Sequence, residues 1–274
     1  MQGRLVPPEA GRFQSFPREG WRREFPRAQE SGLDAIEWIY DTFGEDVNPL
    51  ATDEGIAEMR ELGERHGVAV VSLCADYFMD RPIVKADAAE LRDLIARLYW
   101  LIDRARRVGI TRIVVPFVDA SRIDCGEDRV RAVSVLRDVL PAAESARLEI
   151  HLETDLAPEP FAQLLADLNY GCLKVNYDSG NSSSLGYNPR EEFRAYGARI
   201  GSVHIKDRQL GGSTRPLGQG DADLPAVFRG LHELRYAGDY VLQAARGDSG
   251  GEVALARLNR EFVANQIEVA SNAG

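Results

Sequence analysis

The chain has 274 residues, 44% of them hydrophobic and 28% charged, a balance that suits a folded globular protein and not a disordered or collagen-like one. A formal charge of −10 and a pI of about 5.0 work against binding a phosphate backbone or an anionic lipid surface, so neither nucleic acid nor a membrane is expected as a partner. Cys74, Cys125 and Cys172 are far apart and form no CxxC, which argues against a thiolate zinc site or a disulfide framework and fits reduced thiols in a cytoplasmic protein.

No apolar run reaches the ~20 residues needed to cross a bilayer. The opening MQGRLVPPEAGR lacks the apolar stretch of a signal peptide. Leu5–Val6, with the residues just before them, read as a short first strand lying almost at Met1. Residues 35–39 form the next strand, then a helix over 53–66 and a strand over 68–74. A long helix over 87–108 carries Leu91, Leu94, Leu98 and Leu101 on one stripe; with Tyr99, these belong in the core or in part on a dimer face. Strands over 110–117, 148–153, 173–178, 200–205 and 240–243 follow. Helices over 127–146, 159–168, 190–198, 224–234 and 252–270 separate and follow them. Gly32, Gly67, Gly109, Gly171 and Gly238 precede strands, where a helix C-terminus wants a left-handed residue.

This alternation predicts a parallel sheet wrapped in helices. Eight units in one unbroken domain over 1–274 predict a closed (β/α)8 barrel, and no GxGxxG follows the first strand to suggest an open dinucleotide-binding sheet. The glycine-rich 207–222 stretch follows the seventh strand, where barrel loops build active sites.

Side chains alternate faces along a strand. Glu149, His151 and Glu153 therefore share the inner face, as do Lys174, Asn176 and Asp178, then Ser202, His204 and Lys206, then Asp239, Val241 and Gln243. Charges pointing inward are costly unless paired or metal-bound. Four successive strands end in Glu153, Asp178, His204 and Gln243, and barrel strand ends converge. That mixed oxygen and nitrogen set suits one divalent ion, Mn²⁺, Mg²⁺ or Co²⁺ ahead of Zn²⁺.

SVHIKDR at 202–208, PLGQGDADLPAVF at 216–228 and LRYAGDYVLQ at 234–243 resemble segments of the xylose-isomerase-like barrel superfamily, in its sugar phosphate isomerase/epimerase branch. They look like that family's histidine-ligand strand, its GxGxxD loop (Gly218, Gly220, Asp223) and its approach to the last ligand. The opening MQGRLVPP and GLDAIEWIYD are similar to the same group. The resemblance implies a metal held by Glu, Asp, His and Glu, with the two glutamates as opposed acid/base groups next to a substrate carbonyl that passes through an enediolate. Glu153, Asp178 and His204 match; Gln243 does not.

A glutamine can lend its carbonyl oxygen to a metal, but it does not accept a proton at neutral pH. Glu153 is then the expected base, in an isomerase or epimerase of a sugar, sugar phosphate or sugar-like polyol. The alternatives are a dehydratase of an inosose-like ketone and a barrel that binds sugar without turnover. An apurinic-site endonuclease shares the fold but needs about three metals and more histidines than this chain's four.

Glu37 and Lys206 are further catalytic candidates, Glu37 or Asp248 as a substitute acid. Gln2, Arg4, His151, Asn181 and Arg246 are expected to touch substrate. Trp38, Tyr77 and Phe78 either wall a sugar ring or pack. The partner expected is a small sugar-like molecule, with a homo-oligomer compatible.

Overall fold

Each inward-facing run of the sequence becomes a strand of one parallel sheet. The computed structural model describes residues 1–272. Its strands are β1 (Ala35–Ile39), β2 (Ala69–Cys74), β3 (Arg112–Phe117), β4 (Glu149–Thr154), β5 (Leu173–Asp178), β6 (Ile200–Ile205) and β9 (Tyr240–Leu242), hydrogen-bonded in that order. A two-stranded antiparallel piece, β7 (Asp207–Arg208) with β8 (Thr214–Arg215), stands over the mouth. Ile150 and Leu152 of β4 are fully buried, as are Val203 and Ile205 of β6. Helices cover these side chains, so the outward face of the sheet is apolar and the inward face carries the polar set.

The first strand is shorter and earlier than the sequence suggests. Leu5 and Val6 lie outside the sheet, buried against the core. The stave that closes the barrel is Met1–Gly3. Gln2 N donates to Leu242 O at 3.2 Å, Glu37 N donates to Met1 O at 2.9 Å, and Gln2 bridges Glu37 in parallel. One bridge replaces a strand, and it joins β9 to β1. The assembly is a (β/α)8 barrel in one domain.

The outer helices are α1 (Trp21–Glu30), α2 (Asp53–His66), α4 (Ala88–Val108), α5 (Gly126–Ser145), α6 (Pro158–Leu168), α8 (Pro189–Tyr196), α9 (Leu224–Glu233) and α10 (Glu252–Asn272). Two short helices, α3 (Tyr77–Asp80) and α7 (Ser179–Leu185), follow strands directly at the mouth. Helix α1 is not apparent in the sequence, because Pro26 within it reads as a breaker. Its face holds Trp21 and Phe25, which pack on Trp38 with ring centroids 5.7 and 6.1 Å away. Trp38, Tyr77 and Phe78 are thus core residues. On α4, Leu94, Leu98 and Leu101 are buried, whereas Tyr99 is exposed and donates to Asp138 O of α5.

The glycine-rich loop is held by one buried carboxylate. Asp207 Oδ2 accepts from Gly218 N and Gly220 N, both at 2.9 Å, and Oδ1 accepts from Ala222 N at 3.1 Å. A Cβ at position 220 would lie 2.2 Å from Asp207 Oδ1, and Gly218 has φ +79°, so both glycines are sterically required. Asp223 then caps α9 through Ala226 N. The GxGxxD pattern is a folding device for the wall above β6. Among the described residues, no helix is long and apolar enough to cross a membrane.

Removing the Asp207 carboxylate strands three backbone donors at once. Asp207→Ala is expected to lower stability by about 2–4 kcal/mol, read as an earlier urea midpoint. A change under about 0.5 kcal/mol, the range of a surface substitution, would show that the loop does not depend on it.

Candidate functional site

The parallel register brings the strand-end side chains together. Asp178 of β5 pairs directly with His204 of β6, and Glu153 stands one strand away at the end of β4. His204 Nδ1 lies 3.2 Å from Glu153 Oε2 and 3.8 Å from Asp178 Oδ2. Ligand atoms of all three residues fall within 4.8 Å of one another, and all three side chains are buried. Metal–ligand bonds of about 2.0–2.2 Å give ligand–ligand edges of about 3.0–3.6 Å; the Glu153–His204 distance falls in that range and the Asp178–His204 distance is slightly wider, so the three residues could hold one cation.

Each ligand is held by a different local feature. Asp178 caps α7: its Oδ1 accepts from Gly180 N and Asn181 N, both at 2.8 Å, which leaves Oδ2 free to face the site. Glu153 Oε2 accepts from Asn176 Nδ2 at 2.8 Å, and Oε1 from Asn181 Nδ2 at 2.6 Å. Gln243 Nε2 donates to Gln2 Oε1 at 2.9 Å, so its carbonyl oxygen is the end that remains. Asp178 Oδ2, His204 Nδ1 and Gln243 Oε1 are all buried without a hydrogen-bond partner. Buried polar atoms are almost always satisfied, so unpartnered atoms in the Glu153, Asp178 and His204 cluster, with the Gln243 carbonyl lining the same cavity as Glu153, are compatible with a cation-binding centre. The donor set fits a divalent ion.

Electrostatics point the same way. Burial would push the His204 pKa down, but Glu37, Asp178 and Glu153 outweigh burial and hold it well above the ordinary histidine range. Burial likewise opposes ionising Asp178, yet Lys206 and His204 bring its carboxyl down to about 2. The centre is arranged around positive charge.

Glu37 does not reach the cavity as a substitute acid. Its Oε1 is 2.7 Å from His204 Nε2, and its Oε2 accepts from Ser72 Oγ at 2.6 Å. Burial works against its charge, but His204 and Ser72 bring its pKa down to about 2, so it stays ionised beneath the imidazole. This is the position of a carboxylate that would orient His204 for a cation. His151 is also below the cavity: Nδ1 meets Ser202 Oγ at 2.7 Å and Nε2 meets Glu149 Oε2 at 2.9 Å, which makes it a satisfied core histidine. Arg246 gives its guanidinium to the carbonyls of Phe13, Val6 and Gly3, tying down the N-terminal segment instead of reaching for substrate. Arg4 and Gln2 are buried and do not line the cavity over the site; Gln2 Oε1 accepts from Gln243 Nε2 and from Arg4 Nη1, the latter at 3.2 Å. Asp248 is exposed.

A cavity of about 200 Å³ opens over the ligands. Glu153, Gln243, Lys206 and Asn181 line it. Lys206 Nζ is 3.5 Å from Asp178 Oδ2 and donates to Asn181 Oδ1 at 3.3 Å. Arg208 also donates to Asn181, at 2.9 Å. Sequence reasoning missed Gln14, Asp76 and Arg208 in the wall. Arg208 stood within the SVHIKDR segment, and Asp76 lies two residues past the end of β2, where barrel strands deliver functional side chains. Gln14 gives no sequence signal, because an irregular segment carries it.

Comparison with known proteins agrees with this architecture. A structure of L-ribulose 3-epimerase superposes with a TM-score of 0.78 at 18% identity, covering 100% of this chain and 95% of that one. The IOLI protein with a bound zinc atom gives 0.75 at 18% identity, covering 93% and 94%. A xylose isomerase-like TIM barrel protein from Mycobacterium smegmatis in complex with magnesium gives 0.72 at 21% identity, covering 97% and 94%. No curated protein matches the sequence. The family described as xylose isomerase-like TIM barrel matches residues 25–264, and the chain belongs to it.

Proposed function

We propose that this protein is a divalent-metal-dependent isomerase or epimerase of a sugar or sugar-like polyol, with Glu153 as base. The observation that carries this reading is the placement of Glu153. It is a carboxylate gripped by two asparagine amides, beside His204 and Asp178, lining a cavity sized for a small molecule. Structural similarity to L-ribulose 3-epimerase supports it.

Glu153, Asp178, His204 and the Gln243 carbonyl would hold the ion. Three oxygens and one nitrogen favour Mn²⁺, Mg²⁺ or Co²⁺, and the zinc and magnesium in two similar structures agree with a divalent cation. The bound ion would polarise a substrate carbonyl and offset the charge that develops on its oxygen. Glu153 removes the proton from the carbon beside that carbonyl, and an enediolate forms. Returning that proton to the adjacent carbon, with the hydroxyl proton passing from one enediolate oxygen to the other, interconverts aldose and ketose. Asn176 and Asn181 fix the direction from which Glu153 attacks, and Lys206 and Asn181 offer donors to substrate hydroxyls. Asp41, Asp76, Asp80, Asp119 and Glu153 face the cavity against Arg12, Lys206 and Arg208. That excess of carboxylate favours an uncharged, hydroxyl-rich substrate over a phosphate ester. We place the protein in the cytoplasm on its three free thiols.

Isothermal titration with Mn²⁺ tests the ligand set. His204→Ala and Asp178→Ala are expected to abolish binding, and Glu37→Gln to weaken it about 10- to 100-fold by releasing the imidazole. Unchanged affinity in the first two removes the metal centre. Gln243→Glu should tighten binding, since it adds a charged ligand; equal affinity would place residue 243 outside the coordination sphere.

A panel of ketoses and aldoses in deuterated water, followed by NMR, tests the chemistry. Wild type should place solvent deuterium on the carbon skeleton. Glu153→Gln should retain metal and lose exchange by at least about 100-fold. Binding of a sugar with no exchange would overturn the enzyme reading, and loss of water from the substrate would make the protein a lyase.

A further inference from the structure

Two-sided proton transfer needs a second acid/base group, and Gln243 does not supply one. We propose that Asp76 is that group, exchanging a proton with the substrate carbon on the face turned away from Glu153; the inference rests on the isomerase or epimerase reading.

Asp76, Glu153 and Gln243 line the same cavity of about 200 Å³. Asp76 lies just past β2, two barrel staves round the mouth from β4. It therefore meets a bound molecule from a different side than Glu153 does. Only 8% of it is exposed, and among the described residues no lysine or arginine forms a salt bridge with it. Its Oδ2 accepts from Gln14 Nε2 at 2.7 Å and its Oδ1 from Cys74 Sγ at 3.1 Å.

The hold on Asp76 runs back to the fourth ligand. Gln14 Oε1 accepts from Arg4 Nη2 at 3.1 Å, Arg4 Nη1 donates to Gln2 Oε1, and Gln2 Oε1 also accepts from Gln243 Nε2. One continuous chain of side chains thus fixes the amide at 243 and the carboxyl at 76 relative to each other. A network of this kind positions groups closely because every member is constrained by the next. The groups facing Asp76 are Cys74, Asp41, Glu153 and the Arg4 guanidinium. Burial, with Glu153 and Asp41 adding to it, pushes the Asp76 carboxyl up to about 6, so a protonated fraction persists at neutral pH. A group near the working pH can both give and take a proton.

The step balances without any further reagent. The Glu153 carboxylate takes the proton from the carbon beside the carbonyl, and the C–H electron pair moves into the enediolate. The Asp76 carboxylic acid gives its proton to the same carbon from the other side, the new C–H bond forms and the carbonyl returns. Glu153 ends protonated and Asp76 ionised; exchange with water through the open cavity resets both, and the reverse reaction exchanges their roles.

The test uses the Mn²⁺-loaded protein in deuterated water, with the ketose that wild type labels fastest. NMR follows two signals, appearance of the epimer and deuterium entering recovered substrate. In Asp76→Asn the epimer should fall by about 100-fold or more while deuterium uptake into substrate stays within a few-fold, because Glu153 still works its own face. Asp76→Glu should restore part of the epimer signal. Mn²⁺ affinity of both variants should match wild type, which separates loss of the proton donor from loss of the fold. Epimer formation undiminished in Asp76→Asn overturns the proposal, and so does joint loss of epimer and exchange with metal binding intact. If wild type itself labels no sugar, the parent reading fails first, before any variant is compared, and this one falls with it.

Discussion

The whole upper half of the barrel is organised around a concentration of negative charge placed where water scarcely reaches. Glu37, Glu153 and Asp178 surround the His204 imidazole, which is 0% exposed. Such a cluster is costly unless positive charge sits inside it. A protonated imidazole can supply that charge, and this is why the carboxylates hold the His204 pKa so high. A divalent cation held there would supply more charge and could also engage the Gln243 carbonyl oxygen. Asp178 Oδ2 faces Lys206 Nζ and His204 Nδ1 only at 3.5 and 3.8 Å, and Gln243 Oε1 is buried without a hydrogen-bond partner. The unpartnered Gln243 carbonyl oxygen, beside a cluster of two carboxylates and an imidazole, is the feature that an ion-pair network alone leaves unexplained.

Precision in that centre comes from neighbours that are not ligands. Asp178 is aimed because its other oxygen caps α7, so helix initiation and ligand orientation are one act. Glu153 is aimed by two amides from β5 and α7. Close backbone approach then fixes the layers. A Cβ at Gly180 would lie 2.6 Å from Cγ of Lys206, and one at Gly201 would lie 2.5 Å from the His151 ring. Glycine inside β6 weakens the strand, but it lets the imidazole of the lower layer lie flat against the sheet. His151 is therefore a spacer under the site, satisfied on both nitrogens.

How much of this can be read from sequence follows from what periodicity encodes. Alternation along a strand reports which side chains point inward, and the strand end reports height in the barrel. Together these select Glu153, Asp178, His204 and Gln243 without any structure. Periodicity does not report which inward groups meet across the barrel. Glu37 and His204 lie 167 positions apart and touch only because Met1–Gly3 closes the ring between β9 and β1. Arg246 reads as an anion clamp until its three partners prove to be carbonyls of the N-terminal segment. The closing stave itself is hidden because a single bridge carries no alternation. Asp76 is hidden because an irregular segment 62 residues away, through Gln14, decides where it points.

The amide at 243 is an integrated part of this chain and not an isolated loss. Its nitrogen donates to Gln2 Oε1, which also accepts from Arg4. A carboxylate there would face that same oxygen, so Gln2 would have to turn its amide and give up Arg4. The neutral ligand also has an electrostatic consequence. Glu153 and Asp178 balance a divalent ion by themselves, and a third carboxylate would add charge to a region already holding Glu37, Asp41 and Asp76. Moving acidity off the metal and onto a wall residue relieves that crowding. A carboxylate bound directly to a cation is held ionised, whereas one buried nearby without a cationic partner is pushed the other way. Buried near other carboxylates and held by Gln14 and Cys74, Asp76 has an environment that keeps its proton at higher pH, which the neutral amide at 243 does not offer.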